Sequence, residues 1–367
     1  MRTILISQEK PYLINKQEGT FESLLFLPVY HESNEYGGLR KKGYFKHSYK
    51  YIGRDTFSLN SRDILELDAE RSVPERGTID SSNDKWYLCD TDGGILKIAS
   101  METQEKIRRY IQSLPTENQR ITYIPLITII TSVLNGVKIL EKTIQSITKQ
   151  TYPNIEYIII DGGSTDGTLD IIKKYNDVVD YWVSEPDKGI YDAWNKGINV
   201  FMGDYAAFLG SGDVFFNDAI QLYVDYIWTN SAVDYISSKV ELYNKKKILR
   251  ICGSKWEWNK FKKFMNVAHV GSLHRRKLFL NTGLFNTAYK IAGDYEFLMR
   301  SGNNLITGFV DEVTARIDIN GVSLNNYNVF LETARLKIIF TNRNKLIIYF
   351  ETTIAILKAF LRKAFWY

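Results

Sequence analysis

The chain is poor in the residues and patterns that settle a protein's class quickly. Its 367 residues include two cysteines, Cys89 and Cys252, far apart and without metal-type spacing. That excludes a disulfide framework and suits a reducing compartment. Of the four histidines, His269 and His274 lie five apart on an expected strand and turn, where they need not share a face. A zinc site is therefore not expected. No uncharged apolar run reaches the length of a membrane span. The opening MRTILISQEKPYLINKQ has too short an apolar run for a signal peptide, so a cytoplasmic protein is expected. GxGxxG, a P-loop lysine and a GxSxG elbow are all missing. A dinucleotide fold, a P-loop enzyme and a serine hydrolase thereby lose support.

What remains is an ordinary globular composition, 44% hydrophobic and 24% charged, enough to bury a core in one to three domains. The net charge of +5 is unevenly placed. From Arg335 onward seven basic residues face one acid, Glu351, a local balance of +6, which leaves the rest near −1. The basicity belongs to the tail. The 24 tyrosines are scattered rather than interleaved with clustered Lys and Arg, so no nucleic-acid partner is expected.

Residues 1–120 read as a small α+β region of unassigned role. ILIS and ESLLFLPVY suit short strands. GGLRKKGYFK, Gly37 to Lys46, is a turn followed by a basic aromatic segment. KWYLCDTDGGILKIAS predicts a hairpin around Asp92-Gly93-Gly94, and METQEKIRRYIQSL an amphipathic helix stopped by Pro115. Asp90 and Asp92 either hold a metal or simply make the hairpin turn. Leu114 to Arg120 is the expected boundary.

From Pro125 the pattern sharpens. LITIIT, IEYIIID, VDYWVSE and GDYAAFLG read as strands. KILEKTIQSITKQ, LDIIKKY and GIYDAWNKGINVF read as helices, the first packed on a sheet through Ile139, Leu140, Ile144 and Ile147. This alternation predicts a parallel α/β sheet with its ligand beyond the carboxyl ends of the strands. DYISSKVELYN and KKKILRICG then predict a hairpin. MNVAHVGSLHRRKLF and NTGLFNTAYKIAGDYEFLMRSG alternate strand, loop and helix, and GFVDEVTARIDINGVS adds one or two strands.

Three carboxylates stand where chemistry can occur. Asp161 closes a strand ahead of Gly162-Gly163, where it either accepts bonds from a base or ribose or caps the Ser164-Thr165-Asp166 turn. Asp213 ends the fourth strand in a Gly-rich turn and is either a turn residue or a ligand for a divalent ion that bridges diphosphate oxygens. Asp294 opens DYEFLMR after Ala292-Gly293, as an N-cap or as a general base at a helix N-terminus.

TSVLNG, QTYPNIEYIIIDGGSTDGT, SEPDKGIYDAWNKGI, GDYAAFLGSGD, and HVGSLHRRKLF with AGDYEFLMR occur in this order. Together they resemble inverting family-2 glycosyltransferases of the GT-A fold, over Pro125 to Arg300. The resemblance is to bacterial enzymes that build capsule, exopolysaccharide and lipopolysaccharide repeat units. It implies an α/β fold, a Rossmann-like, mostly parallel sheet with flanking helices. Here that domain, 121–330, would carry the N-terminal α+β region, 1–120, and an amphipathic helical tail, 331–367. It implies transfer of a hexosyl group from a nucleotide-sugar donor to a glycan or polyprenyl-linked acceptor, with Mn2+ or Mg2+. Thr131, Val133 and Asn135 match the first-strand turn beside the nucleotide, and Asp161 with Gly162 the carboxylate turn that reads the base. Asp187 and Lys188 match the segment closing over the nucleotide, and Asn195 the polar position of the next helix. Asp213 matches the metal carboxylate, Asp294 the catalytic base and His269 the acceptor side. The chain departs from many relatives at Gly212-Asp213, where they carry two adjacent acids. It also lacks QxxRW and multiple membrane spans, which points to a single-addition transferase rather than a processive synthase. GGLRKKGYFK is similar to a lead segment found before such domains, although some seventy residues intervene here.

The tail, KLIIYFETTIAILKAFLRKAFWY, suits a helix lying in an anionic membrane interface on the inner face of the cell membrane, or else one packed on the core. A lipid-linked acceptor favours the membrane. The rival function is a catalytically silent sugar-nucleotide-binding scaffold, kept open by Gly212. A nucleotidyltransferase is less supported, because a Gly-rich triphosphate loop bearing Arg or Lys is missing.

Overall fold

Residues ahead of the boundary expected near 120 are built into the same sheets as those after it. The computed structural model describes residues 5–11, 24–28, 35–52, 85–89, 91, 94–244, 247–318 and 328–365. His31, Asp90, Asp92, residues 53–84 and the terminal Trp366-Tyr367 lie outside them, as do parts of the ILIS, ESLLFLPVY and GFVDEVTARIDINGVS segments. Strand β1 (Glu35–Gly37) joins the edge of the main sheet. Strands β2 (Ser48–Ile52), β3 (Lys85–Cys89) and β4 (Ile95–Ile98) form a second, smaller sheet. The antiparallel pairing of β3 with β4 is the expected hairpin. Helix α1 (Met101–Ser113) starts where the Ser100 hydroxyl accepts the Thr103 N–H and stops ahead of Pro115. Strand β5 (Tyr123–Ile124) then returns to pair with β2.

Buried ion pairs tie the lead segment to the main sheet. Arg40 meets Glu156, and Lys46 meets Asp180 at 2.7 Å; all four side chains are buried. Glu156 also accepts the Thr128 hydroxyl at 2.6 Å and the Met202 N–H at 2.8 Å. A charge this deep persists because its lone pairs are satisfied. Glu156 sits inside the otherwise apolar run of IEYIIID at 1% exposure.

The central alternation folds as expected. In order come β6 (Ile127–Val133), α2 (Leu140–Thr148), β7 (Ile155–Asp161), α3 (Thr168–Lys174), β8 (Tyr181–Ser184), α4 (Ile190–Val200) and β9 (Tyr205–Gly210). Next are β10 (Val214–Phe215), α5 (Ala219–Thr229), β11 (Tyr235–Asn244), β12 (Lys247–Cys252) and the single-turn α6 (Trp258–Phe261). The chain closes with β13 (Ser272–Arg275), α7 (Arg276–Thr282), α8 (Gly293–Ser301), β14 (Thr307–Asp318), α9 (Asn328–Phe340) and α10 (Lys345–Phe365). The main sheet runs β1-β8-β7-β6-β9-β13-β11-β14-β10, with β12 paired to β11. Strands β8, β7, β6 and β9 are parallel, and β13 is antiparallel to β9. The fold is therefore α/β, a mostly parallel sheet flanked by helices. β6 and β7 are buried on both faces, which is why they read as near-continuous Ile runs. Ile139 departs from its expected place in the core. It precedes the first turn of α2 and is 39% exposed, while Leu140, Ile144 and Ile147 are buried.

The tail divides. Helix α9 sinks Ala334 and Leu336 into the core. Helix α10 buries Ile348 but leaves Leu346, Tyr349, Phe350, Leu357, Phe360 and Leu361 exposed. No described helix is long and apolar enough to cross a membrane.

Candidate active site

Parallel strands β6, β7, β8 and β9 end side by side, and four turns leave from the same edge of the sheet. Val133 and Asp161 are paired in register, and the Gly162 N–H donates to the Val133 carbonyl at 2.9 Å. Asn135, at φ 52, donates its backbone N–H to Ser164 Oγ and accepts the Thr165 N–H on Oδ1. Asp166 accepts the Val137 N–H at 3.1 Å. The first and second turns are thus one hydrogen-bonded unit.

Asp161 is the pin of that unit. Its carboxylate accepts the Gly163 and Ser164 N–H groups, the Ser164 hydroxyl and the Ser184 hydroxyl. The capping role weighed for it is present. Gly162 lets the Asp187 side chain approach closely, since a Cβ there would lie 2.5 Å from Asp187 Oδ2 and would push that carboxylate aside. Burial pushes the Asp187 carboxyl up, and its Oδ1 accepts the Gly189 N–H at 2.8 Å. Lys188 is exposed at the tip, and its carbonyl accepts the Lys290 ammonium at 2.9 Å.

Asp213 leaves β9 in a turn held by Thr143. The Thr143 hydroxyl donates to the Asp213 carbonyl at 2.8 Å and accepts the Gly212 N–H at 2.9 Å. Asp213 Oδ1 accepts the Asp318 N–H at 3.2 Å, from the end of β14. Burial pushes its carboxyl up to about 7, opposed by that bond and by Lys142, with the Asp318 carboxylate adding to the rise. A partly buried carboxylate with a second carboxylate beside it and few donors is a site that suits a divalent cation. The described residues hold no cluster of three or more His, Cys, Asp or Glu that could bind a metal. Other oxygens would therefore have to complete such a shell. Gly212 stands at φ +99, and a Cβ on it would press on Ile139 at 3.3 Å. The backbone conformation accounts for the glycine.

Asp294 sits in the first turn of α8. Its Oδ1 accepts the Tyr295 N–H at 2.8 Å and lies 3.2 Å from the Tyr191 hydroxyl of α4, which also reaches the Ile291 carbonyl. Burial pushes its carboxyl up to about 6, with those two bonds opposing and the charge of Glu332 adding to the rise. The N–H groups ahead of α8 are taken by one side chain. Glu332 of α9 accepts those of Lys290, Ile291 and Ala292 at 2.9, 3.0 and 2.8 Å. A carboxylate held there completes a helix N-terminus that has no side-chain cap of its own.

The remaining expected residues face inward. Thr131 is fully buried in β6 and accepts the Tyr157 hydroxyl at 3.2 Å. Asn195 clamps the Phe285 backbone, with its amide donating to the carbonyl and its oxygen accepting the N–H, both at 2.9 Å. His269 is buried and stacked on Trp194, with ring centroids 4.9 Å apart, and neither ring nitrogen has a hydrogen-bond partner. His274 lies 4.9 Å from it. The two histidines therefore meet, because β13 and the preceding turn fold into one aromatic cluster. Burial pushes His269 well below the usual range and His274 down to about 3, so both are neutral.

Tyr191, Asp318 and Glu332 join the site without having been singled out. Tyr191 lies within GIYDAWNKGI, but its partners Ile291 and Asp294 are 100 and 103 residues away. Asp318 and Glu332 carry no local signal, since their partners lie 105 and about 40 residues away.

Residues 128–279 match the family model described as glycosyl transferase family 2. Over 201 residues the chain is 28% identical to a PGL/p-HBAD biosynthesis glycosyltransferase of Mycobacterium bovis, covering 52% of this chain and 76% of that one. It is 30% identical over 185 residues to an uncharacterized glycosyltransferase of Rickettsia typhi, covering 48% and 58%. Among solved structures it is similar to S. aureus TarS 1-349 in complex with UDP, at TM-score 0.48 and 18% identity over 61% of this chain and 68% of that one. It is also similar to a mannosyltransferase from Pyrobaculum calidifontis in complex with GDP-Man and Mn2+, at TM-score 0.45 and 16% identity over 67% and 74%.

Proposed function

The central domain of this chain belongs to glycosyl transferase family 2, and from that premise we propose an inverting, single-addition transfer from a nucleoside-diphosphate sugar to an acceptor hydroxyl. The observation that carries this reading is Asp294, a carboxyl at a helix N-terminus pushed up to about 6 by burial. A general base works best with a pKa near the operating pH. Asp294 takes the acceptor's proton on its carboxylate as the acceptor oxygen bonds to the anomeric carbon. The bond from that carbon to the diphosphate breaks on the opposite side, and the electron pair leaves with the diphosphate. Tyr191 orients Asp294 through Oδ1, and Glu332 positions the turn before it.

The turns after β6, β7 and β8 form the donor side. Asn135, Gly162, Asp187 and Lys188 approach the nucleotide, and Asp161 positions the turn that meets it. Asp213 and Asp318 are the residues that would hold Mn2+ or Mg2+. Bound there, the cation supplies charge neutralisation for the departing diphosphate. The acceptor is a glycan or a polyprenyl-linked sugar of a bacterial surface polysaccharide, met on the inner face of the cell membrane, with the exposed apolar side of α10 toward the lipid.

A sugar-nucleotide panel with Mn2+ or Mg2+, read as nucleoside diphosphate release, tests the activity. Release with one donor, lost in Asp294→Asn, supports it. Donor binding without release by the wild type, with or without acceptors, would instead favour the silent scaffold.

A further inference from the structure

A cleft of about 270 Å³ opens between α6 and the turn joining α9 to α10, lined by Asn259, Lys262, Lys263 and Arg343. Its charge is only partly neutralised locally. Arg343 pairs through Nη2 with Glu351, while its Nη1 is buried with no hydrogen-bond partner. The same Glu351 feels Lys337 and Lys263 as well. Lys262 rests 5.9 Å from the Trp258 ring. Cations gathered in one cleft suit a multiply charged oxyanion.

The cleft borders an apolar face that points outward. At 3.6 residues per turn, Leu346, Phe350, Leu357 and Leu361 of α10 fall in one stripe, with Tyr349 and Phe360 beside it. Leu346 is 75% and Phe350 67% exposed, while Ile348, on the opposite side, is fully buried. The helix thus packs by its less apolar side. Exposed Lys345 and Lys358 fall to either side of the stripe, where long cationic side chains reach a headgroup layer. Glu351 lies one turn from Ile347, so the cations around it stand at the edge of the stripe.

We infer that this face is a seat for an anionic bilayer, the stripe of α10 lying at the headgroup–acyl boundary and the Lys262–Lys263–Arg343 cleft taking the phosphate of a lipid headgroup. The charge of the cleft selects this occupant over a purely apolar one, because an apolar partner would leave the cations of the cleft unanswered. The inference rests on the membrane part of the proposed function and not on the chemistry at Asp294.

The test is flotation of the full chain with vesicles of phosphatidylcholine alone and of phosphatidylcholine with phosphatidic acid. The wild type should float with the anionic vesicles. Lys262→Ala/Lys263→Ala should weaken that binding about fivefold for each cation removed. Phe350→Ser should weaken it too, while Arg108→Ala/Arg109→Ala, on the exposed side of α1, should leave it within about twofold. Equal flotation of the wild type and the cleft variant overturns the headgroup site. Absence of flotation, or a dimer in sedimentation that Phe350→Ser dissolves, overturns the bilayer as occupant. Sugar transfer measured on a soluble acceptor reports separately on the enzymatic reading.

Discussion

Glu332 Oε2 lies 2.8 Å from the backbone nitrogen of Ala292, two residues ahead of Asp294. The same carboxylate holds Ile291 and Lys290, so the tail helix α9 sets the entry of α8 and with it the direction of the proposed base. Its negative charge also raises the Asp294 carboxyl, after the larger effect of burial.

Glu332→Gln should therefore do two separable things. Loss of charge-assisted bonds worth about 1–2 kcal/mol should lower kcat about five- to thirtyfold with little change in donor binding. The acid limb of the rate profile should move to lower pH, because the charge that raised Asp294 is gone. A lowered rate with an unmoved limb would show a merely structural role.

Asp294→Asn should cost about 10²- to 10⁴-fold in transfer while leaving nucleoside diphosphate affinity nearly unchanged. In the wild type, activity should fall as pH drops through about 6, where Asp294 takes up its proton. Stability runs the other way. The folded carboxyl is raised above its ordinary 3.8, so the penalty for ionising it is absent below that value and complete above about 6. At neutral pH the Asn variant should be more stable, by on the order of 2 kcal/mol, in denaturant unfolding.

Removing divalent cation with EDTA should stop transfer, and Mn2+ should restore it. Asp213→Asn should raise the Mn2+ needed for half activity by about tenfold or more, since losing even groups behind a ligand costs that much. Transfer at the wild-type rate in EDTA would end the metal assignment.

Gly212→Asp, which recreates the paired acids of many relatives, should destabilise by about 1–2 kcal/mol. The reason is the φ of +99 and the contact with Ile139. A thermal melt equal to the wild type would refute this account of the glycine.

Arg40→Met should cost about 3–5 kcal/mol by stranding Glu156 as a buried charge. Adding Glu156→Gln should recover much of that loss in urea unfolding. Additive losses would mean the two side chains act independently.

The central strands and helices were legible because each announces itself within a dozen residues. The Ile runs of β6 and β7, Pro115 after α1 and the glycines of the turns act locally. The three carboxylates were legible as candidates for the same reason, each ending a strand or opening a helix. Glu156 was passed over, because one acid in an apolar run is explained only by Arg40, 116 residues earlier. His269 and His274 looked unrelated, because the fold of β13 brings them together rather than their spacing. The structural bonds of Asn195 to the Phe285 backbone and of Thr131 to the Tyr157 hydroxyl join residues 90 and 26 positions apart, so no local pattern announces them.

By itself the sequence determined the parallel α/β layout, because periodicity and turn chemistry are short-range properties. Tertiary structure alone decided which carboxyls are pushed up by burial, that Tyr191 and Glu332 hold the turn of Asp294, and that Asp318 joins Asp213. Those relations depend on desolvation and on hydrogen bonds between elements far apart in the chain, and neither leaves a periodic trace in the order of residues.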